Sequence, residues 1–269
     1  MLGGRLRRGD RLPLQSRDCS LHGGWLGHIA VDAASARRAW VTNVPDYCIG
    51  KVSDHAVALL LAFHRGIVRL NAKTKATGWA FDGRGPQRIA DLTVGILGYG
   101  RIGRETGRKL QALGCPILVV TGADNRSTCD GKKTSMQSVQ ENADVIILHA
   151  PLTDTTFHMI DHHFLSCCRR SPLIIKVSRG PLIDNYALMA ALDAGRIRGA
   201  ALDVVEGEPF PPPALLARED VVVTPHITFA SAAALAELRG HACEEVVRAI
   251  KGEPLHHPCN RPNETALIL

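Results

Sequence analysis

From Ser53 to Leu70 the chain reads as one strongly apolar helix. Val57, Leu60, Leu61, Ile67 and Val68 recur at helical spacing, and Ser53 or Asp54 stands where a cap is expected. Such a helix is expected to be largely buried. Downstream the pattern changes to short apolar runs. Val94 to Leu97, Ile117 to Val120, Asp144 to His149, Leu173 to Val177, Ala200 to Val205 and Val221 to Thr224 each predict a strand. Helical periods fall between them, from Arg101 to Leu113 and from Tyr186 to Ala194. Strands alternating with helices predict an α/β fold built on a doubly wound parallel sheet. A last helix is predicted from Ala232 to Lys251. Ser231 is its N-cap, Gly252 stands just past its end, and Leu235, Leu238, Val246, Val247 and Ile250 are its apolar positions. Roughly the first forty residues hold no sustained period and predict no element; they carry Arg5, Arg7, Arg8, Arg11 and Arg17.

The chain has 269 residues, 45% hydrophobic and 22% charged, enough for one large or two ordinary domains. Its longest apolar run, Ala56 to Phe63, falls far short of the roughly 20 residues that span a bilayer, so no membrane partner is expected. The eight cysteines are scattered, with one adjacent pair and no CxxC. Neither a disulfide framework nor a metal site is expected, and the reducing cytoplasm is the expected compartment. The net charge of +6 is spread along the chain with no aromatic-interleaved basic patch, which argues against a nucleic-acid partner.

Gly98, Gly100 and Gly103 form GxGxxG between a predicted strand and a predicted helix. The first glycine allows a tight turn, the second lets backbone approach a pyrophosphate, and the third lets helix and strand pack closely. Amides at the helix start, including those of Arg101 and Ile102, then face the phosphates along the positive end of the helix dipole. This context predicts a Rossmann-type dinucleotide-binding domain. An acid at the end of the next strand would bond the ribose of NAD, but that strand ends at Thr121; Asp124 and Arg126 follow it. The choice between NAD and NADP stays open.

Three further polar residues fall at predicted strand ends: Arg179 in Val177-Ser178-Arg179-Gly180, Glu208 in Glu206-Gly207-Glu208-Pro209, and His226 in Thr224-Pro225-His226-Ile227. Open α/β sheets place their ligands at that edge. A guanidinium holds a carboxylate bidentately, an imidazolium protonates a carbonyl oxygen, and a carboxylate supports that imidazolium, so the set suits reduction of a 2-oxo acid.

The chain resembles the D-isomer-specific 2-hydroxyacid dehydrogenases. The resemblance runs through Val94-Gly95-Ile96-Leu97-Gly98-Tyr99-Gly100-Arg101-Ile102-Gly103, His149-Ala150-Pro151-Leu152-Thr153, Val177 to Asp184, Gly199 to Val204, Glu208-Pro209 and Thr224-Pro225-His226-Ile227. Asn43 to Cys48, followed by Val52 to His55, is most similar to the branch related to C-terminal-binding proteins. The resemblance implies that Arg179 binds the substrate carboxylate, His226 is the acid/base and Glu208 tunes it. It also implies that Ala150, Pro151, Thr156, Val177 and Asp203 line the nicotinamide and ribose pocket, with Asp203 on the carboxamide. It further implies a homodimer formed around the Ser53 to Leu70 helix.

The same resemblance implies two domains, a dinucleotide-binding domain over residues 46–230 and a flavodoxin-like substrate domain over residues 1–45 and 231–269. The second is expected to be incomplete, since about 45 residues precede Asp46 where a small complete domain takes roughly 100. Gly23-Gly24-Trp25-Leu26-Gly27 falls where the family has its carboxylate-binding glycine loop, with Trp25 on a glycine position, and Lys176 stands where an asparagine is common. Two readings follow. One is an NAD(P)-dependent oxidoreductase of a 2-oxo acid and D-2-hydroxy acid pair. The other, motivated by the short N-terminus and Trp25, is a cofactor-binding protein without turnover, either co-repressor-like or an inactive remnant.

Overall fold

The structure, a computed structural model, describes residues 19–23, 29–79, 87–122 and 131–262. Nine strands and nine α-helices run along the described residues: β1 (Cys19–Gly23), α1 (Val31–Ala36), β2 (Trp40–Val44), α2 (Ile49–His64), α3 (Ile67–Thr77), β3 (Val94–Leu97), α4 (Arg101–Ala112), β4 (Ile117–Val120), β5 (Lys132–Lys133), α5 (Met136–Asn142), β6 (Val145–Leu148), α6 (His162–Ser166), β7 (Leu173–Lys176), α7 (Asn185–Asp193), β8 (Gly199–Leu202), α8 (Pro213–Leu216), β9 (Val221–Val223) and α9 (Ala232–Lys251). They divide into two compact units, one of Cys48–Ala230 and one that draws on chain before Cys48 and from Ser231 onward.

The larger unit is a seven-stranded sheet in the order β5-β4-β3-β6-β7-β8-β9, every neighbouring pair parallel. Every residue of β3, β6, β7 and β8 is buried, as expected of strands covered on both faces. Alternation along the strands splits their side chains between two cores. Ile96, Ile147 and Ile175 pack with Leu60 and Leu110 on one face, while Leu97, Ile146, Leu148 and Ile174 pack with Phe164 and Leu188 on the other. The parallel α/β architecture predicted from the strand runs is therefore present, and the order reverses between β3 and β6. Ligands bind such sheets in the crevice outside a reversal of that kind.

The apolar helix expected over Ser53 to Leu70 is two helices, and this corrects the sequence reading. Gly66 sits at φ +63, a left-handed conformation that ends α2 and starts α3 on a new axis. Helix α2 starts at Ile49 with Cys48 as N-cap, so Ser53 and Asp54 are interior residues, not caps. Ser53 Oγ donates to the Gly50 carbonyl at 2.8 Å, and Lys109 Nζ on α4 donates to Ser53 Oγ at 2.6 Å and Asp54 Oδ1 at 2.7 Å. Burial is also narrower than expected: Leu60 is buried, whereas Ile67 and Val68 are 57% and 49% exposed.

In the smaller unit β1 and β2 are parallel, and the segment around His257 to Asn260 returns beside β2. Cys259 N–H donates to the Val41 carbonyl at 2.7 Å, and Asn260 Oδ1 accepts from Val41 N–H at 2.7 Å. Helix α9 has the predicted ends: Ser231 Oγ accepts from Ala234 N–H at 3.0 Å, and Gly252 closes it at φ +72. Its buried residues are Ala234, Glu245 and Ala249, while Leu235, Leu238 and Val246 are half-buried and Val247 and Ile250 are exposed, so the expected apolar face is only partly covered within this unit.

Candidate active site

The glycine loop follows directly from β3. Gly98 adopts φ +93, and a Cβ there would stand 2.5 Å from Ala150 N, against the exit of β6. Gly103 lies in the first turn of α4, where a Cβ would stand 2.3 Å from the Gly98 carbonyl oxygen. Both glycines are thus required for the loop to close on itself. Gly100, the N-cap of α4, differs: a Cβ there would meet nothing within 4 Å. The space it leaves open lies at the N-terminus of a twelve-residue helix whose opening residues include Arg101 and Ile102. A backbone cradle open at the helix N-terminus fits the pyrophosphate of a dinucleotide. Thr121 follows the end of β4; Asp124 and Arg126 lie outside the described residues.

Ala150 and Pro151 follow β6, and Thr156 braces the turn after them. Its Oγ1 donates to the Pro151 carbonyl at 2.6 Å and accepts from Thr153 N–H at 2.8 Å. Val177 follows β7 and Asp203 follows β8. The glycine loop, Thr121, Ala150 and Pro151 thus stand at the exits of β3, β4 and β6, at or next to the reversal, whereas Val177 and Asp203 leave β7 and β8 further along the same C-terminal edge. The buried Asp203 carboxylate is engaged by the segment after β9, not left open for a carboxamide as the resemblance implied.

The three candidate catalytic residues leave the adjacent strands β7, β8 and β9 at the same edge. Arg179 stands in the turn after β7, where its Nη1 donates to the Ser178 carbonyl at 2.6 Å. Glu208 follows β8 and His226 follows β9, and their side chains meet: His226 Nδ1 lies 2.8 Å from Glu208 Oε1. Both are about two-fifths exposed, which leaves the imidazole reachable by a small ligand. With Nδ1 held by the carboxylate, Nε2 is the nitrogen free to exchange a proton.

Asp203 serves this pair in a way the sequence did not disclose. Its side chain is fully buried, and both oxygens turn toward the segment that carries His226. Oδ1 accepts from Thr224 Oγ1 at 2.6 Å and Ile227 N–H at 3.0 Å, and Oδ2 accepts from Thr228 N–H at 3.1 Å. From α2, His55 Nε2 reaches Thr224 Oγ1 at 3.0 Å. The spacing Asp203 to Thr224 exceeds any local motif, so only the β8–β9 pairing reveals this clasp.

Residues 57–228 match the family described as D-isomer specific 2-hydroxyacid dehydrogenase, NAD binding domain. The chain is 32% identical over 236 residues to the glyoxylate reductase of Thermofilum pendens, covering 84% of this chain and 69% of that protein. A 2-hydroxyacid dehydrogenase from Ketogulonicigenium vulgare Y25 superposes with a TM-score of 0.84 at 27% identity, covering 91% of this chain and 79% of that one. D-Lactate dehydrogenase from Aquifex aeolicus, solved with NAD and lactic acid, gives 0.77 at 26% identity and covers 87% and 77%. This chain belongs to the D-isomer-specific 2-hydroxyacid dehydrogenase family. Its larger unit is a Rossmann-type domain whose cofactor is a nicotinamide dinucleotide, NAD or NADP.

Proposed function

We propose that the protein reduces a 2-oxo acid to a D-2-hydroxy acid with NADH or NADPH, and catalyses the reverse oxidation. The 2.8 Å contact between His226 and Glu208, on the sheet edge that carries the glycine loop, is the observation that supports this reading most. In it the Arg179 guanidinium grips the substrate carboxylate and orients the neighbouring carbonyl. Glu208 accepts a hydrogen bond from His226 Nδ1 and fixes the ring. His226 Nε2 then delivers a proton to the carbonyl oxygen as it becomes a hydroxyl, and recovers it in the reverse direction. The amides of Arg101 and Ile102 would hold the pyrophosphate, Thr121 the ribose region, and Ala150, Pro151, Thr156 and Val177 the nicotinamide side. Bound there, the nicotinamide supplies or accepts the hydride.

The names of the relatives direct the choice of substrates. Purified protein is incubated with NADH or NADPH and glyoxylate, hydroxypyruvate or pyruvate, and cofactor oxidation is followed. Turnover above a His226→Ala control is expected; none with any pair refutes the reading.

The proposed assembly is a homodimer formed around α2 and α3, supported by the exposed Ile67 and Val68. A monomeric mass in light scattering would exclude it. The proposed compartment is the cytoplasm, supported by six free cysteines among the described residues.

A further inference from the structure

Strand β7 reads Leu173-Ile174-Ile175-Lys176, and all four residues are buried. The lysine does not extend its amine to solvent, for Lys176 is 0% exposed and ranks among the largest fully buried side chains. Long cations normally keep the charged head in water. Here Nζ donates instead to the Gly180 carbonyl at 2.6 Å, closing the turn from Val177 to Gly180 over its own stem. Gly180 has a wall behind it: a Cβ would stand 2.6 Å from the Val205 carbonyl oxygen and 2.7 Å from Glu206 N. Arg179 is therefore carried by a turn held between the Lys176 amine and the exit of β8. The Lys176 carbonyl also accepts from Asp203 N–H at 2.9 Å, which joins β7 to the clasp on the His226 segment.

We propose that Lys176 is a positioning residue for the 2-oxo acid site, its amine fixing the Arg179 turn through the Gly180 carbonyl. The proposal rests on the dehydrogenase reading above for its chemistry, and on the Gly180 contact for its geometry. Burial opposes the charge and lowers the amine to about 7, while the Glu206 and Glu208 carboxylates favour the charged form. Each carboxylate also has a histidine, His158 at 3.0 Å from Glu206 and His226 at 2.8 Å from Glu208. Near neutral pH the amine thus passes between an ammonium with three donors and a neutral amine, a weaker tether for the turn.

The test compares wild type with Lys176→Met, which keeps length without charge or donor, and Lys176→Gln, which keeps a shorter donor without charge. The expected result is a KM for the 2-oxo acid raised roughly ten- to a hundredfold in Lys176→Met, as a displaced clamp predicts. Cofactor affinity, read by NADH fluorescence, stays unchanged. Hydrogen exchange supplies a readout independent of turnover. The amides of Leu182 and Ile183, which donate to the Arg179 and Gly180 carbonyls at 3.3 Å each, should exchange faster in Lys176→Met than in wild type at equal pH. Where Lys176→Met does not fold, Lys176→Gln carries the comparison. Wild-type turnover with unchanged KM and exchange in the variants overturns the role of Lys176 and leaves the dehydrogenase reading standing. Faster exchange with no wild-type turnover supports the tether and refutes that reading.

Discussion

The backbone N–H of His226 donates to the carbonyl of Asp203 at 2.8 Å, so the two residues are joined through main chain as well as through the Asp203 side-chain clasp. His226 sits at φ +51, a conformation that few non-glycine residues adopt without surrounding support. Asp203→Asn places an amide nitrogen against either the Thr228 N–H or the donors on Oδ1. One buried donor then loses its acceptor, at a cost of about 1–3 kcal/mol. The expected outcome is a lower Tm together with a lower kcat and an unchanged cofactor Kd. An unchanged kcat would show that the His226 segment holds its place without the carboxylate.

His226→Asn separates chemistry from folding, because asparagine tolerates the left-handed conformation better than most residues. Loss of the acid/base is expected to lower kcat by about 10²–10⁴-fold. The Tm should stay within a degree or so of wild type in the same melts. Glu208→Gln keeps an acceptor near Nδ1 and removes the charge. It should also lower kcat by roughly 10²-fold or more, without moving cofactor affinity. A Glu208→Gln enzyme with wild-type kcat would remove the carboxylate from the mechanism.

The glycine loop predicts two phenotypes within six residues. Gly103→Ala puts a methyl group 2.3 Å from the Gly98 carbonyl oxygen, and Gly98→Ala both clashes with Ala150 and strains a φ of +93. Each is expected to destabilise the fold by about 1–3 kcal/mol, read as a lower midpoint in urea. Gly100→Ala meets nothing within 4 Å and has φ −74, so the fold should be unaffected. Its methyl group fills the space proposed for the pyrophosphate. NADH affinity should fall at least about tenfold, or ~1.4 kcal/mol. Normal NADH binding by Gly100→Ala would place the cofactor elsewhere.

Much of the larger unit was legible because its sheet is parallel and covered on both faces. Val94 to Leu97 or Leu173 to Ile175 then read as unbroken apolar runs bounded by turns. Helix α4 was legible for a different reason, its glycine spacing. The two-helix break at Gly66 was not, since Ile67 and Val68 continue the apolar period of α2 across a residue that glycine alone makes a hinge. Helices α5 and α6 are short, and their signals are the caps rather than any period: Ser135 Oγ accepts from Ser138 N–H, and Asp161 Oδ1 from Phe164 N–H. At the site, Arg179, Glu208 and His226 stood out as polar residues at strand ends. The clasp of Asp203 on Thr224 and the tether of Lys176 on Gly180 did not, because each depends on which strands lie side by side and which side chains are buried. Lys176 in the sequence suggests only a misplaced charge. In the fold it is a buried donor with one named acceptor.

That burial makes stability depend on pH in a direction that can be checked without substrate. The Lys176 amine falls from its ordinary 10.5 to about 7 in the folded protein. Between those values the unfolded chain still binds the proton that the folded chain has released, so stability rises with pH across the window. The contribution is complete above 10.5, is lost as pH falls through the window, and is constant below about 7, where both states carry the proton. Lys176→Met removes this dependence and leaves other titrations in place. The Tm of Lys176→Met relative to wild type should therefore be higher at pH 7 than at pH 9.5, by roughly 5 °C or more for a unit of this size. A difference that stays flat between the two pH values would show that the folded protein keeps Lys176 charged throughout. The Gly180 carbonyl would then hold it as an ammonium across that range.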